Sequence, residues 1–297
     1  MPQSRLTAAL VQQSFTPDPE TNLAATGEMV REAAAAGARL VLLCELHRTR
    51  YFCQTEDTAC FDLAEPVPGP TTGALGRLAR ETGTVIVGSV FERRGSGLYH
   101  NTAVVLDADG RLAGRYRKMH IPDDPGYHEK FYFTPGDTGF VPVDTAAGRL
   151  GVLVCWDQWF PEAARLMALA GADLLLYPTA IGWDPADDAE ERRRQFDAWR
   201  TVQRGHAVAN GLPLLAANRC GWEPHPDDPE RGIEFWGGSF ACGPQGELLA
   251  EAGTAEPQVL TVELDPGRTD TVRRIWPFLR DRRIDAYGEL LQRYRDE

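Results

Sequence analysis

The chain alternates short apolar runs with longer segments in which apolar positions recur every three to four residues, a pattern that predicts alternating strands and helices. Gly37 is expected to end the first helix, and Gly83 the second, which a threonine cap at Thr71 opens. Asp109-Gly110 predicts a turn between two apolar runs. The predicted helices cover residues 21–36, 71–81, 161–170 and 189–209, and the predicted strands cover residues 6–11, 40–44, 84–90, 102–107, 150–154, 173–177, 213–218, 238–242 and 259–263.

Several predicted strands are apolar at consecutive positions rather than at alternate ones. Residues 152–155 have the sequence VLVC and residues 173–178 have the sequence DLLLYP. Such strands are typical of a sheet covered by helices on one face and by another layer on the other. No linker rich in Pro, Gly or Ser divides the chain, so we expect an α/β fold with a single domain over residues 1–297.

Composition excludes some classes of function. The 297 residues carry a formal net charge of −12, which argues against a nucleic-acid partner. The six cysteines, at positions 44, 53, 60, 155, 220 and 242, have no CxxC spacing and are expected to be reduced thiols. The sequence has neither the long apolar core of a signal peptide nor a run of about 18 apolar residues that would span a membrane, so we expect a cytoplasmic protein.

Cys155 stands where a predicted strand meets the next helix. The apolar run RLGVLVCW ends there, and Pro161 and Glu162 suit the first turn of the helix that follows. Peptide dipoles at the start of a helix favour a thiolate, the reactive form of cysteine. Cys155 is therefore a candidate nucleophile, although a strand cysteine taken alone is more often a small buried apolar residue.

Two other segments carry groups that would complement a thiol. Glu45 directly follows a buried strand, where a carboxylate is costly unless it is paired, and Lys118 lies in a basic run before a proline-rich loop. Taken singly, each is more often a solvated charge. Together the three supply a nucleophile, a base and a cation for a developing oxyanion.

At this point the chain resembles the nitrilase superfamily of carbon–nitrogen hydrolases. The similarity runs nearly end to end and is carried by ELHRTRYFCQ, RKMHIPDDPGYHEKFYFTPGD, CWDQWFPEAAR, YPTAIGW and WPFLRDRRIDAY. It implies an α-β-β-α sandwich, with Glu45 as the base, Lys118 as the lysine and Cys155 as the nucleophile. Glu129 matches a second glutamate that orients the lysine or assists proton transfer, and the N–H of Trp156 is expected to help Lys118 hold the oxyanion.

Within the superfamily the chain is most similar to the N-carbamoylputrescine amidases. The resemblance implies hydrolysis of a terminal carbamoyl group on a small amine, no cofactor or metal, and a homo-oligomer that is a dimer or a multiple of dimers. His120 and His128 are expected to form hydrogen bonds rather than to bind a metal. Candidate substrate-binding residues are Asp123, Asp124, Tyr127, Trp183 and Asp184. The last two stand where a small residue and a glutamate are expected, which leaves the substrate's chain length open.

Three alternatives remain open at this stage. The nearest two are other amidases of the same superfamily, an ω-amidase and a β-ureidopropionase. A β-ureidopropionase would need an arginine for the substrate carboxylate, and Arg48, Arg50 and Arg117 are candidates. The third is a binding protein that keeps the fold without catalysis.

Overall fold

Two six-stranded sheets face each other, and helices cover their outer faces. The structure is a computed structural model and describes residues 5–295. One sheet has the strand order β15-β1-β2-β3-β4-β5, the other β14-β13-β10-β8-β7-β6, and a small third sheet has the order β11-β12-β9. The strands are β1 (Leu6–Gln12), β2 (Leu40–Leu42), β3 (Val85–Gly95), β4 (Leu98–Leu106), β5 (Leu112–Arg117), β6 (Val143–Thr145), β7 (Gly148–Val152), β8 (Leu174–Thr179), β9 (Gly182–Trp183), β10 (Leu214–Asn218), β11 (Cys220–His225), β12 (Asp228–Trp236), β13 (Phe240–Cys242), β14 (Leu248–Glu251) and β15 (Gln258–Leu264).

Helices pack on both outer faces of this pair of sheets. α1 and α2 lie against the first sheet, and α4 and α5 lie against the second. Pro161 is the first residue of α4, as the sequence predicts. The helices are α1 (Pro19–Ala35), α2 (Pro70–Thr82), α3 (Glu129–Tyr132), α4 (Pro161–Leu169), α5 (Ala189–Asn210) and α6 (Pro266–Ile275), and short 3₁₀ turns include Phe52–Gln54 and Cys155–Trp159.

The central strands of the first sheet, β1 to β4, are buried on both faces over most of their length. Ala8 and Leu10 of β1 contribute to the core between the sheets, whereas Ala9 and Val11 contribute to the core under the helices. Because successive side chains of a strand point to opposite faces, a strand in this position has to be apolar throughout. The sequence prediction of an α-β-β-α sandwich is confirmed.

The structure differs from the sequence prediction at a few elements. The threonine cap predicted at Thr71 is wrong: Gly69 is the N-cap of α2, and its N–H donates to Thr72 Oγ1 at 2.7 Å. The left-handed residue at Gly83, with φ of +66°, does end that helix. The sequence pattern also did not predict α3, α6 or the strands β5, β6, β9, β11, β12 and β14, most of which are short or carry polar and proline residues that break the alternation.

The strand topology brings three chain segments to one end of the sandwich. β1, β2 and β3 run parallel in one sheet, and β7, β8 and β10 run parallel in the other. The Glu45 N–H donates to the Thr179 carbonyl at 3.3 Å, so the end of β2 meets the end of β8. The residues that follow β2, β5 and β7 are therefore neighbours across the two sheets.

No helix of residues 5–295 is both long enough and apolar enough to cross a membrane.

Candidate active site

Glu45 is fully buried just beyond β2. Its Oε1 accepts hydrogen bonds from Asn101 Nδ2 at 2.6 Å and from Lys118 Nζ at 2.8 Å. Its Oε2 has no hydrogen-bond partner among the described residues. A buried carboxylate oxygen without a partner is costly, so it is a candidate for contact with a reacting group or a substrate.

Lys118 lies between two carboxylates. Its Nζ donates to Glu45 Oε1 at 2.8 Å and to Glu129 Oε2 at 2.7 Å, and its side chain is fully buried. The N–H of Lys118 donates to the Asn101 carbonyl at 2.9 Å, which fixes the lysine just after β5. Burial favours the neutral amine, but the negative charges of Glu129 and Glu45 outweigh burial and raise the pKa of Lys118 well above its ordinary value. The ammonium form is therefore the stable one.

Glu129 begins the short helix α3 and is also buried. Besides Lys118, its carboxylate accepts a hydrogen bond from Tyr51 Oη at 2.8 Å. Burial raises the pKa of Glu129 to about 7; the charge of Lys118 opposes this shift and that of Glu45 adds to it. Glu129 therefore changes its charge close to neutral pH.

Cys155 is the first residue of the 3₁₀ turn after β7, and its side chain is 4% exposed. Its φ is +41°, in the left-handed region that non-glycine residues seldom adopt. Such strain is common at functional sites. Burial raises the pKa of the Cys155 thiol well above its ordinary value, Glu45 adds to this shift, and Lys118 opposes it. The thiolate expected from the start of a helix is therefore wrong for the resting protein: Cys155 begins a five-residue 3₁₀ turn six residues before α4, and burial there favours the neutral thiol.

Asp157 connects the cysteine turn to the lysine segment. Its two carboxylate oxygens accept hydrogen bonds from the Val154 N–H (2.9 Å), the Tyr116 hydroxyl (2.9 Å) and the His120 N–H (3.1 Å), and they contact His120 Nδ1 at 2.7 Å. Asp157 was not among the residues predicted from the sequence, although an acid two residues after a candidate nucleophile is a usable signal. His120 therefore forms hydrogen bonds with Asp157, in agreement with the role expected of it.

The comparison with known families decides the identity of this fold. The family model described as carbon–nitrogen hydrolase matches residues 7–274. The chain is a member of the carbon–nitrogen hydrolase family. It is an amidohydrolase, so the alternative of a non-catalytic binding protein was wrong.

Relatives of this carbon–nitrogen hydrolase are similar over nearly their whole length. The N-carbamoylputrescine amidase of Solanum lycopersicum is 47% identical over 288 residues, which are 96% of this chain and 95% of the relative. The citrullinase of Francisella tularensis is 41% identical over 293 residues, which are 98% of this chain and 100% of the relative. The crystal structure of a carbon–nitrogen hydrolase from Helicobacter pylori has a TM-score of 0.95 at 50% identity and matches 98% of this chain and 100% of its own.

Two of the predicted substrate-binding residues, Tyr127 and Trp183, lie on adjoining segments in the hydrolase. The Tyr127 hydroxyl accepts a hydrogen bond from the Gly182 N–H at 3.0 Å, and its ring lies 5.4 Å from that of Tyr51. Trp183, in β9, packs with its ring centroid 5.5 Å from that of Trp236, and its indole N–H donates to the Arg192 carbonyl at 3.0 Å. Contact of either side chain with a substrate stays a prediction.

The three predicted acidic substrate ligands lie at the surface. Asp123 and Asp124 are exposed in the loop before α3, and Asp184 is exposed after β9. The Asp184 carboxylate accepts a hydrogen bond from the Ala186 N–H at 2.8 Å, which stabilises a local turn. The structure therefore does not bring these three into the buried cluster of Glu45, Lys118 and Glu129, and their role in binding stays a prediction.

Two of the arginines considered for a substrate carboxylate already have carboxylate partners. Arg117 forms ion pairs with Glu92 at 2.7 Å and with Asp137 at 3.0 Å, and Arg48 forms ion pairs with Glu20 and Glu65. The third, Arg50, donates through Nε to the Phe15 carbonyl at 3.4 Å.

Metal ligation has little support in the side chains that the structure describes. Among residues 5–295, no group of three or more His, Cys, Asp and Glu residues is placed to hold an ion. His128, the second histidine considered, is half-buried, and its N–H donates to the Cys53 carbonyl at 2.8 Å.

Proposed function

We propose that the chain hydrolyses N-carbamoylputrescine through a covalent intermediate on Cys155. The observation that carries this proposal is the buried cluster in which Lys118 joins Glu45 and Glu129. Cys155 lies beside it, because the Glu45 N–H donates to the Thr179 carbonyl at 3.3 Å and the Cys155 thiol donates to the next carbonyl, that of Ala180, at 3.7 Å. A structure of the Nesterenkonia amidase, similar with a TM-score of 0.78 and 28% identity, carries acrylamide added at its active-site cysteine. That likeness supports the assignment of Cys155 as the nucleophile.

The proposed first step forms a bond between sulfur and carbon. Cys155 Sγ attacks the carbonyl carbon of the terminal carbamoyl group while Glu45 takes the thiol proton. The unpartnered Oε2 of Glu45 supports this role, since it is the oxygen with no donor of its own. The raised pKa of Cys155 makes a base necessary, because the resting thiol is protonated.

The tetrahedral intermediate carries negative charge on the former carbonyl oxygen. Lys118 is a cation at the site, and Trp156, the second residue of the 3₁₀ turn, offers an N–H that has no acceptor within the turn. Collapse breaks the bond to the terminal nitrogen, which leaves as ammonia with the proton that Glu45 returns.

The second step clears the enzyme. Glu45 removes a proton from water, and the resulting oxygen attacks the carbonyl carbon of the S-carbamoyl intermediate. The carbon–sulfur bond breaks, and Cys155 regains a proton. The released N-alkylcarbamate then loses CO₂ and leaves the free amine, so that one water is consumed and amine, CO₂ and ammonia are formed.

The choice of substrate is supported by the relatives rather than by the acidic residues of the sequence prediction. Four N-carbamoylputrescine amidases of plants are 44–47% identical to this chain. A second candidate is citrulline, because the citrullinase relative is 41% identical over nearly the whole chain. Both substrates carry a terminal carbamoyl group. A β-ureidopropionase activity is less well supported, because Arg48 and Arg117 already pair with carboxylates.

A substrate panel tests the proposal. Purified protein is incubated with N-carbamoylputrescine, L-citrulline or N-carbamoyl-β-alanine, and both ammonia and the product amine are measured. The far ends of these substrates are a cation, an amino acid and an anion. We expect the highest kcat/KM for N-carbamoylputrescine. A higher value for citrulline or for N-carbamoyl-β-alanine would reject the proposed substrate, and no release of ammonia from any of them would reject carbamoyl hydrolysis.

The titration of Glu129 predicts a pH dependence of activity. With a pKa of about 7, Glu129 gains its negative charge as pH rises through neutrality. When Glu129 is protonated, Glu45 is the only ionised carboxylate that pairs with Lys118. This pairing makes Glu45 less available as a base. We therefore expect kcat to rise with pH around 7. The Glu129→Gln variant should have kcat about 10²-fold lower and should lack this limb of the kcat–pH profile. A variant that keeps both the wild-type rate and the limb near pH 7 would contradict the role of Glu129.

We also propose that the chain is one carbon–nitrogen hydrolase domain and that it forms a homo-oligomer, either a dimer or a multiple of dimers. Its C-terminal segment carries many exposed apolar side chains, and exposed apolar patches of this kind commonly mark interfaces. These are Ile275, Trp276, Phe278, Ile284, Tyr287, Leu290, Leu291 and Tyr294. Light scattering after size-exclusion chromatography should give a multiple of the 32.8 kDa chain mass. Truncation after Ile275 should reduce the number of chains in the assembly. A monomer at micromolar concentration would reject this proposal.

A cytoplasmic location is the last proposal carried over from the sequence. All six cysteines are free thiols, as is usual in a reducing compartment. Fractionation of cells that express the full chain would test it.

A further inference from the structure

Arg219 and Glu223 form a buried ion pair that the proposed mechanism does not use. Arg219 lies between β10 and β11, and Glu223 lies within β11. Arg219 Nη1 donates to Glu223 Oε1 at 2.7 Å, and the two side chains are 0% and 1% exposed. Removing two charges from water is costly unless their remaining hydrogen-bonding atoms are also paired. The partners of the remaining hydrogen-bonding atoms of Arg219 and Glu223 therefore indicate the role of the pair.

The other amino group of Arg219 holds the backbone at Glu45. Nη2 donates to the carbonyls of Glu45 at 3.0 Å and of Leu46 at 2.7 Å, and Nε donates to the Glu45 carbonyl at 3.3 Å. Leu46 has a φ of +48°, a left-handed conformation that a leucine adopts only when its surroundings impose it. The guanidinium thus fixes a strained turn, and this turn sets the direction in which the Glu45 side chain leaves the backbone.

Glu223 holds the other side of the site. Its Oε2 accepts a hydrogen bond from the Tyr51 N–H at 2.6 Å, and the Tyr51 hydroxyl donates to Glu129 at 2.8 Å. Glu129 contacts Lys118, and Lys118 contacts Glu45. The contacts therefore close a ring through six residues, which we call the brace ring: Arg219, Glu45, Lys118, Glu129, Tyr51 and Glu223.

We propose that Arg219 and Glu223 are positioning residues for the hydrolysis, acting on Glu45 through its backbone and on Glu129 through Tyr51. This inference rests on the proposed function, because it assigns the pair a place behind the base and the lysine. Arginine suits this role, because the donors of its planar guanidinium reach Glu223 and two carbonyls at once. A lysine ammonium, which has a single nitrogen, does not. An error of about 1 Å in the placement of a catalytic group costs on the order of 10²-fold in rate.

Glu223→Gln tests the proposal with little change in volume. The amide keeps one acceptor oxygen but cannot serve Arg219 and Tyr51 together as the carboxylate does. We expect kcat on the preferred carbamoyl substrate to fall about 10²-fold, while KM changes less than about threefold. The pH dependence of the rate at which iodoacetamide alkylates Cys155 should also shift, because a displaced Glu45 removes the thiol proton less well. Arg219→Lys keeps the positive charge but loses the planar guanidinium. It should show the same fall in kcat with the same small change in KM.

Glu92→Gln is the matched control. Glu92 and Arg117 form another buried arginine–glutamate pair, with a 2.7 Å contact and side chains 2% and 6% exposed. The hydrogen-bond partners of the Glu92 carboxylate are Thr102, Arg115 and Arg117, none of which belongs to the brace ring. The Glu92→Gln variant should lower the melting temperature about as much as the Glu223→Gln variant does, but it should leave kcat within about twofold of wild type.

The outcomes separate the two proposals. Wild-type kcat in folded Glu223→Gln and Arg219→Lys, or the same loss of kcat in Glu92→Gln, overturns the positioning role. Failure of both brace variants to fold also overturns it, because the pair then serves stability alone. By contrast, if the wild-type protein releases no ammonia from the carbamoyl substrates, or if Cys155→Ala retains activity, it is the proposed function that fails.

Discussion

Cys155→Ala is expected to lower kcat by about 10⁴-fold or more, because it removes the sulfur that forms the proposed covalent intermediate. Alanine keeps the Cβ, so the strained φ of +41° is unchanged, and only a buried sulfur is removed. The free energy of unfolding should therefore change by about 1 kcal/mol or less. Ammonia release at saturating substrate and a urea denaturation curve measure the two effects.

Cys242→Ala is the matched control for this experiment. Cys242 is an equally buried thiol in β13, on the strand that pairs with β10 and β14. Its replacement removes the same atom from a core position and should leave kcat unchanged. If Cys155→Ala releases ammonia at a rate near that of wild type, the assignment of the nucleophile is wrong.

Lys118→Met has the second largest expected effect and should change both activity and stability. Methionine fills similar space but leaves the carboxylates of Glu45 and Glu129 buried without a cation. Leaving a buried charge unpaired in this way costs about 3–5 kcal/mol of unfolding free energy. Loss of a charged donor to the oxyanion should lower kcat by at least about 10²–10³-fold. Urea denaturation and steady-state ammonia release give the two values.

A second substitution separates the two effects of Lys118. In the double variant Lys118→Met/Glu129→Gln, one of the two carboxylates is removed, so most of the lost stability should return. Activity should not return, because the cation is still absent. A single Lys118→Met variant with activity within about tenfold of wild type would show that the lysine is not needed for charge stabilisation.

The elements and the chemistry were predictable from the sequence to different degrees. The strands β7 and β8 and the long helix α5 followed from local patterns, since apolar runs and 3.6-residue periodicity depend on near neighbours. The hairpin of β11 and β12 did not, because its polar residues and prolines have no strand periodicity. Glu223 lies in that hairpin and Arg219 directly precedes it, so neither residue was predicted from the sequence.

The sequence by itself determined the layered α/β architecture, the family and the types of group at the site, since each depends on residue identity and on short-range order. Only the tertiary structure decided their states. It places Lys118 between two carboxylates, leaves Glu45 Oε2 without a partner and buries Cys155, so that the thiol rather than the thiolate is the resting form. Protonation depends on solvation and on charges that lie far apart along the chain, and it is folding that brings them together.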